Sequence, residues 1–178
     1  MPLYYYFTLS IFAALGWAAF KTAQSEWGKQ WHQYAFVVAD FFLLAFVILY
    51  PNPLAPFDFP SQLVLRGGAF VHFFVLLAGL TYIYQPRLVL WGGIAAGMAW
   101  MGGVGILVMQ PETVWRTVLD NDLPGFLQDS GSPFFVNLNA RIQEVLVLLI
   151  VTGLLALAVK RARTIATRQV KLTQEKPI

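Results

Sequence analysis

The sequence predicts an all-α membrane protein, a polytopic bundle of about five transmembrane helices that ends in a long C-terminal helix. Of its 178 residues, 58% are apolar and 12% are charged, whereas about a quarter of the residues in a soluble domain are charged. The mean hydropathy of +0.62 is too high for a soluble globule of this size to bury its apolar surface. The composition therefore excludes a cytosolic enzyme, a disordered chain and a disulfide scaffold. The absence of cysteine also excludes zinc–thiolate sites and thiol catalysis.

Five apolar stretches approach the length of about 20 residues that a helix needs to cross the hydrocarbon core. They are residues 3–20, 34–50, 68–84, 88–109 and 145–159. Four prolines within 51–60 end the second stretch, and Gln85-Pro86-Arg87 predicts a tight turn that makes a hairpin of the third and fourth stretches. In the long connection at 110–143 we predict a short amphipathic helix, at 114–119, that lies on the membrane surface.

The placement of lysine and arginine predicts how the chain lies in the membrane. The segment after the fifth stretch carries the basic residues Lys160, Arg161, Arg163, Arg168, Lys171 and Lys176 against the single acidic residue Glu175. Residues 1–160 are therefore expected to form the transmembrane bundle, and residues 161–178 a basic helical extension in the cytoplasm. Counting back through five spans places the N-terminus outside, which suggests a sixth, upstream helix in the parent architecture. The alternative is four spans with the N-terminus inside.

Ionisable side chains in or beside apolar spans are expensive to bury and therefore mark candidate sites. Arg66 and His72 lie at the start of the third stretch, and Arg141 and Glu144 lie one turn apart before the fifth. In the predicted topology all four belong to the outer leaflet, where they form either a ligand-binding pocket or an interhelical salt bridge. Asp40 stands alone inside the second stretch. Its candidate partners are Thr8, Ser10, Trp100 and backbone groups.

The two histidines suggest a b-type haem, whose axial ligands must come from facing helices at one depth. His32 lies at the cytoplasmic edge of the second stretch and His72 in the outer leaflet, so the two are not expected to bind one iron. We therefore expect no cofactor and no metal, with a haem held by a single histidine as the alternative.

Glycines are concentrated in the fourth stretch. The four-residue spacing of Gly93 and Gly97 is typical of helices that approach closely. The expected contact lies either within this domain or at a seam between two copies.

The C-terminal helix is the most directional feature of the sequence. From residue 140 to residue 174 only Gly153 disfavours a helix, and membrane helices tolerate glycine. One rod about 50 Å long, at about 1.5 Å per residue, is therefore expected to connect the outer polar cluster with the cytoplasm. Such a rod is typical of a signalling helix that leaves a membrane sensor. The alternative is a stop-transfer tail that binds anionic lipid.

Several short motifs, in a coherent order along most of the chain, resemble the N-terminal membrane domain of bacterial class III adenylate/guanylate cyclases of the alphaproteobacterial type. They are Pro2-Leu3-Tyr4-Tyr5-Tyr6, residues 34–44 with Asp40, Tyr50-Pro51-Asn52-Pro53, Leu65-Arg66-Gly67-Gly68 leading to Phe73-Phe74, the run from Tyr84-Gln85-Pro86-Arg87 to Trp91-Gly92-Gly93, and Gln143-Glu144-Val145 running into Lys160-Arg161-Ala162-Arg163.

The resemblance implies a membrane anchor and receptor domain rather than an enzyme. It implies a homodimer through the exit helix, a cytoplasmic catalytic domain that this chain does not contain, and an unknown lipophilic or small outer-leaflet ligand. Some related cyclase anchors look like dihaem cytochromes and need more histidines than are present here. Two other function classes stay open, a haem- or quinone-binding redox protein and a small transporter or assembly subunit. Nucleic-acid binding has no support, since the basic tail lies at a membrane interface.

Overall fold

The computed structural model describes residues 2–24, 31–50, 60–117 and 122–174, and most of this backbone is helical. In chain order the elements are α1 (Pro2–Gln24), α2 (Trp31–Leu49), α3 (Ser61–Val64), α4 (Val71–Leu80), α5 (Pro86–Val108), β1 (Val114–Arg116), α6 (Leu123–Ser130), β2 (Phe135–Asn137) and α7 (Leu138–Gln174). The predicted all-α class is confirmed. The predictions for the proline loop at 51–59, the connection at 25–30 and the tail after residue 174 fall outside the described residues.

Three helices in the described part of the chain are long and apolar enough to cross a membrane, namely α2, α5 and α7 over Leu138–Lys171. They match the second, fourth and fifth predicted stretches and indicate a membrane protein. The first stretch is helical throughout α1. In the third stretch, predicted at 68–84, the apolar helix covers only Val71–Ile83. The number of five spans stays a prediction.

Helix α5 lies at the centre of the bundle, packed between α2 and α7. Small residues on α5 make this packing possible. A Cβ atom built on Gly93 would lie 2.2 Å from the Thr152 hydroxyl oxygen of α7, and one built on Gly103 would lie 2.2 Å from a methyl carbon of Leu49 on α2. Gly97 also faces α7, at Val145. The pair Gly93 and Gly97 therefore serves packing within this domain, which was one of the two expectations for it.

The hairpin between α4 and α5 follows from three residues. The 3₁₀ turn Thr81–Ile83 ends in Tyr84, whose φ of 55° lies in the left-handed region and stops the helix. Gln85 is extended with φ −115°, as the residue before a proline prefers. Pro86 then starts α5 at a position where its missing N–H costs nothing. The tight turn predicted at Gln85-Pro86-Arg87 is therefore present.

The prediction of an amphipathic helix at 114–119 is wrong for the residues that the structure describes there. Val114–Arg116 is instead a strand that pairs in parallel with Phe135–Asn137. Thr113, Val114 and Thr117 are β-branched and favour extended backbone, and the Val114 N–H donates to the Phe134 carbonyl at 3.1 Å. The short helix of this connection is α6, which begins after Asp122, whose carboxylate accepts a hydrogen bond from the Gly125 N–H at 3.0 Å.

Helix α7 is continuous over 37 residues, which corresponds to about 55 Å at about 1.5 Å per residue. It starts directly after β2, where the Asn137 side chain accepts a hydrogen bond from the Ala140 N–H at 3.2 Å and caps the helix. Its buried positions extend to Val159, and residues 160–171 are exposed. The long rod expected from residue 140 to residue 174 is present.

We expect the substitution Gly93→Ala to destabilise the bundle by about 1–3 kcal/mol, the usual cost of overpacking. Thr152 cannot move away easily, because it is buried and its hydroxyl donates to the Leu148 carbonyl at 2.7 Å. Gly102 is the matched control on the same helix, since a Cβ there meets nothing within 4 Å. Unfolding of both variants by SDS in detergent micelles measures the difference. Equal stabilities would contradict the packing described for α5 and α7.

Candidate functional site

A cluster of three polar side chains connects α5 with the first turns of α7, and we call Trp100, Arg141 and Glu144 the polar site. The Arg141 guanidinium lies 2.8 Å from the Glu144 carboxylate. The Trp100 indole N–H donates to the other carboxylate oxygen of Glu144 at 2.9 Å. Arg141 also donates to the Leu65 carbonyl at 2.7 Å. The polar site thus joins α5, α7 and the end of α3.

The local sequence explains why these groups meet. Arg141 and Glu144 are three residues apart on α7 and therefore lie on one helix face. Leu65 directly follows α3, so its carbonyl is one that the helix leaves unpaired. The carboxylate consequently takes one partner from its own helix and one from α5, while the guanidinium reaches across to α3.

An aromatic wall fixes the position of Trp100. Its ring lies 5.0 Å from that of Phe70 and 5.4 Å from that of Phe73, measured between centroids, and Phe73 stacks on Phe41 of α2. Trp100 is completely buried. Because the neighbouring rings enclose the Trp100 indole, the orientation of its N–H is fixed and points toward Glu144. A buried indole N–H without a partner would be costly.

The four predicted site residues do not all share contacts. Arg141 and Glu144 form the expected pair. The Arg66 guanidinium instead donates to the Ser132 carbonyl and lies 5.9 Å from the Phe135 ring centroid. His72 is exposed, and its Nδ1 lies 2.8 Å from the Ala69 carbonyl of its own turn. Arg66 thus contacts the segment before β2, next to the polar site, and His72 contacts the turn that precedes α4.

Asp40 occupies a half-buried position on α2 and forms no hydrogen bond or ion pair with the part of the chain that the structure describes. Two of the partners considered for it are used elsewhere. Trp100 donates to Glu144, and the Ser10 hydroxyl donates to the Tyr6 carbonyl at 2.7 Å. Asp40 is therefore separate from the polar site.

A second polar cluster lies near the polar site and carries no signal in the sequence. Gln62 is buried, and its amide nitrogen donates to Gln110 at 2.9 Å and to the Thr113 hydroxyl at 2.7 Å. The Thr113 hydroxyl donates in turn to the Leu107 carbonyl at 2.6 Å. This chain of bonds connects α3 with the end of α5. Its members are neutral residues next to turns, where no periodic pattern distinguishes them.

The histidine His32 lies next to a tryptophan at the start of α2. The His32 ring stacks on Trp31 at 4.0 Å between centroids. The sequence predicts His32 at the cytoplasmic edge of the second stretch. Across the described residues, no group of three or more histidine, cysteine or acidic side chains is arranged to hold a metal ion.

Each side chain of the polar site has at least one hydrogen-bond or ion-pair partner. Its carboxylate has two donors, its guanidinium has two acceptors and its indole has one acceptor. The side chains of Arg141 and Glu144 are 11% and 23% exposed. Removing one partner of an ion pair this well enclosed leaves the other charge buried and unpaired, which is costly. The bonds between different elements are those of Glu144 with Trp100 and of Arg141 with the Leu65 carbonyl, and they connect α7 with α5 and with the end of α3.

We expect Arg141→Leu and Glu144→Leu each to destabilise the protein by about 2 kcal/mol, because each leaves one half-buried charge without its partner. The double variant should cost less than the sum by about 1–2 kcal/mol. A double-mutant cycle on SDS unfolding measures this coupling. The control cycle uses Arg116 and Asp129, an ion pair of the same length, 2.8 Å, with side chains 32% and 26% exposed. A smaller coupling is expected there. Strict additivity at Arg141 and Glu144 would contradict the energetic coupling of the two charges.

Comparison with known proteins does not show which family this chain belongs to. No family model matches the chain, and no curated protein or solved structure matches it either. The resemblance to the membrane domain of class III cyclases therefore stays a prediction, and the polar site and α7 are the features from which a function is proposed.

Proposed function

We propose that this chain is the membrane anchor and receptor domain of a bacterial class III adenylate or guanylate cyclase. In this proposal it lies in the inner membrane and couples an outer-leaflet signal through α7 to a cytoplasmic catalytic domain. The observation that carries the proposal is the continuity of α7. One unbroken helix of 37 residues holds Arg141 and Glu144 at its start and a basic segment at its other end.

The charge distribution along α7 supports the proposed direction. After Glu144 the described part of α7 contains no acidic residue, and five basic residues follow Val159. Basic residues that follow a span are retained on the cytoplasmic side. The polar site then belongs to the outer half of the membrane. A change there has a rigid path of about 45 Å from Glu144 to the end of the described helix.

The surface of α7 is compatible with contact to lipid and leaves room for a second copy. Large apolar side chains on its exposed face recur at helical spacing, at Ile142, Leu146, Leu149, Ile150, Leu154 and Leu157. Gly153 lies among them, and a Cβ atom there would meet nothing within 4 Å. Small residues on a membrane helix let a second helix approach closely. A second α7 on this face would bring two basic extensions side by side, as a dimeric catalytic domain requires.

The polar site is the proposed input because it decides where α7 lies relative to α3 and α5. A ligand that carries a polar or charged group competes with Trp100, Arg141 or the Leu65 carbonyl for the same bonds. Such a ligand shifts α7 only if it binds one arrangement of the helices more tightly than the other. The proposal therefore requires that altering the polar site changes the output, even where the bundle stays folded.

The test is a fusion of this chain, through α7, to a class III cyclase catalytic domain. We expect Glu144→Gln to change basal or stimulated cyclic-nucleotide output severalfold, because coupling energies between sites are typically about 1–3 kcal/mol. The amide keeps the shape of the side chain and a carbonyl for Trp100 but removes the ion pair with Arg141. Glu112→Gln is the matched control, since Glu112 is an exposed carboxylate outside the polar site.

The same fusion is compared with the catalytic domain on an unrelated dimerising anchor, in the presence of lipid extracts and quinones. Output that depends on an additive only with this chain supports a receptor. Equal and unresponsive output from both anchors, with no effect of Glu144→Gln, contradicts the receptor function and leaves an anchor.

A further inference from the structure

A cavity of about 1110 Å³ lies at the end of the bundle where α7 leaves it, next to the turn between α4 and α5. We call it the basic groove. One wall is formed by α7, with Lys160, Arg163, Thr164, Thr167, Arg168 and Lys171. The opposite wall is formed by Tyr34 of α2 and residues 83–87. The groove begins one residue after Val159, the last buried position of α7 in the described structure.

The charge of the groove has one sign. Five of its lining residues are cations, and none of its lining residues is acidic. Within the described ranges these five cations form no ion pair, since the ion pairs there belong to Arg116 and Arg141. Cations that converge on one cavity repel each other and raise the local concentration of anions. Among the described residues, nothing that lines the groove balances this positive charge, so the groove favours a negatively charged occupant.

The cations converge because of helix geometry. The α7 residues that line the groove follow one another alternately three residues and one residue apart. They therefore lie on one face of the helix. Arg161 lies on the same helix but does not line the groove. Arg87 comes from the first turn of α5, whose positive dipole end is not neutralised by a side-chain cap. Two elements that are distant in sequence thus present cations to one space.

We propose that the basic groove binds the phosphorylated headgroup of an anionic phospholipid, with phosphate oxygens on Arg87, Arg163 and Arg168. A lipid is favoured over a soluble anion by position, because the groove starts where the apolar part of α7 ends, at the depth of the headgroups. Exposed Ile83 and Tyr84 border it and offer contacts to the glycerol and upper acyl region. This site does not depend on the proposed receptor function.

The volume favours a headgroup with two phosphates. The groove, at about 1110 Å³, is slightly larger than the range of about 300–1,000 Å³ that is usual for small-molecule sites, and a single phosphate would fill a small part of it. Bound lipid would bridge the extension of α7 to the α4–α5 turn. It would thereby fix the rotation of α7 at the end opposite to the polar site.

The test uses the full chain in detergent, with binding of cardiolipin, phosphatidylcholine and inorganic pyrophosphate measured by native mass spectrometry and by thermal stabilisation. We expect cardiolipin to bind at least about tenfold more tightly than phosphatidylcholine, as charge-assisted hydrogen bonds to phosphate require. We expect Arg163→Gln and Arg87→Gln each to weaken cardiolipin binding about tenfold. Arg161→Gln is the matched control, with the same charge change two residues from Arg163, and we expect less than about a twofold effect.

Losses of equal size, about fivefold for all three variants, would indicate general attraction of a basic segment to an anionic surface and would overturn the groove. Pyrophosphate binding as tight as cardiolipin binding would overturn the lipid as the occupant. Arg163→Lys keeps the charge and should retain at least half of the binding energy, which separates loss of a phosphate ligand from loss of the fold. The thermal stability of each variant in phosphatidylcholine alone provides the same check.

Discussion

The close approach of α5 to its two neighbours is the constraint on which the rest of the structure depends. Gly93 lets Thr152 of α7 lie against the α5 backbone, and Gly103 does the same for Leu49 of α2. In a bilayer the hydrophobic effect does not drive helices together, so van der Waals contact and interhelical hydrogen bonds must do so. Glycine provides the contact, and it also sets the distance at which Trp100 can reach a carboxylate on α7.

The polar site is a consequence of that distance. An indole N–H and a carboxylate form a bond of 2.9 Å only where the two helices are already close. Once formed, the bond fixes the rotation of α7 about its own axis, which apolar contacts do poorly because they lack direction. Arg141 adds the link to α3 through Leu65. Packing therefore determines the separation of the helices, and the polar site determines their register.

The sequence predicted the features that depend on local chemistry. Pro86 after an extended Gln85 gave the hairpin, and the spacing of Arg141 and Glu144 gave their pairing on one helix face. Features that depend on tertiary neighbours were not predictable in the same way. Trp100 was considered as a partner of Asp40, because both are polar groups in apolar helices, and periodicity does not say which helix an indole faces. The strand at Val114–Arg116 was missed since each of its residues pairs with a residue 21 positions further along the chain.

The two ends of α7 differ in the kind of restraint that holds them. At the start, the ion pair and the indole bond are internal to the protein. At the other end, five cations face a groove that holds no opposite charge from its own lining residues. In the proposed arrangement, the protein holds one end of α7 and an anion from the membrane holds the other. The position of α7 then depends on both contacts. In the proposed receptor, any rearrangement of the polar site would work against the occupant of the groove, so lipid composition would set the free energy that a signal has to supply.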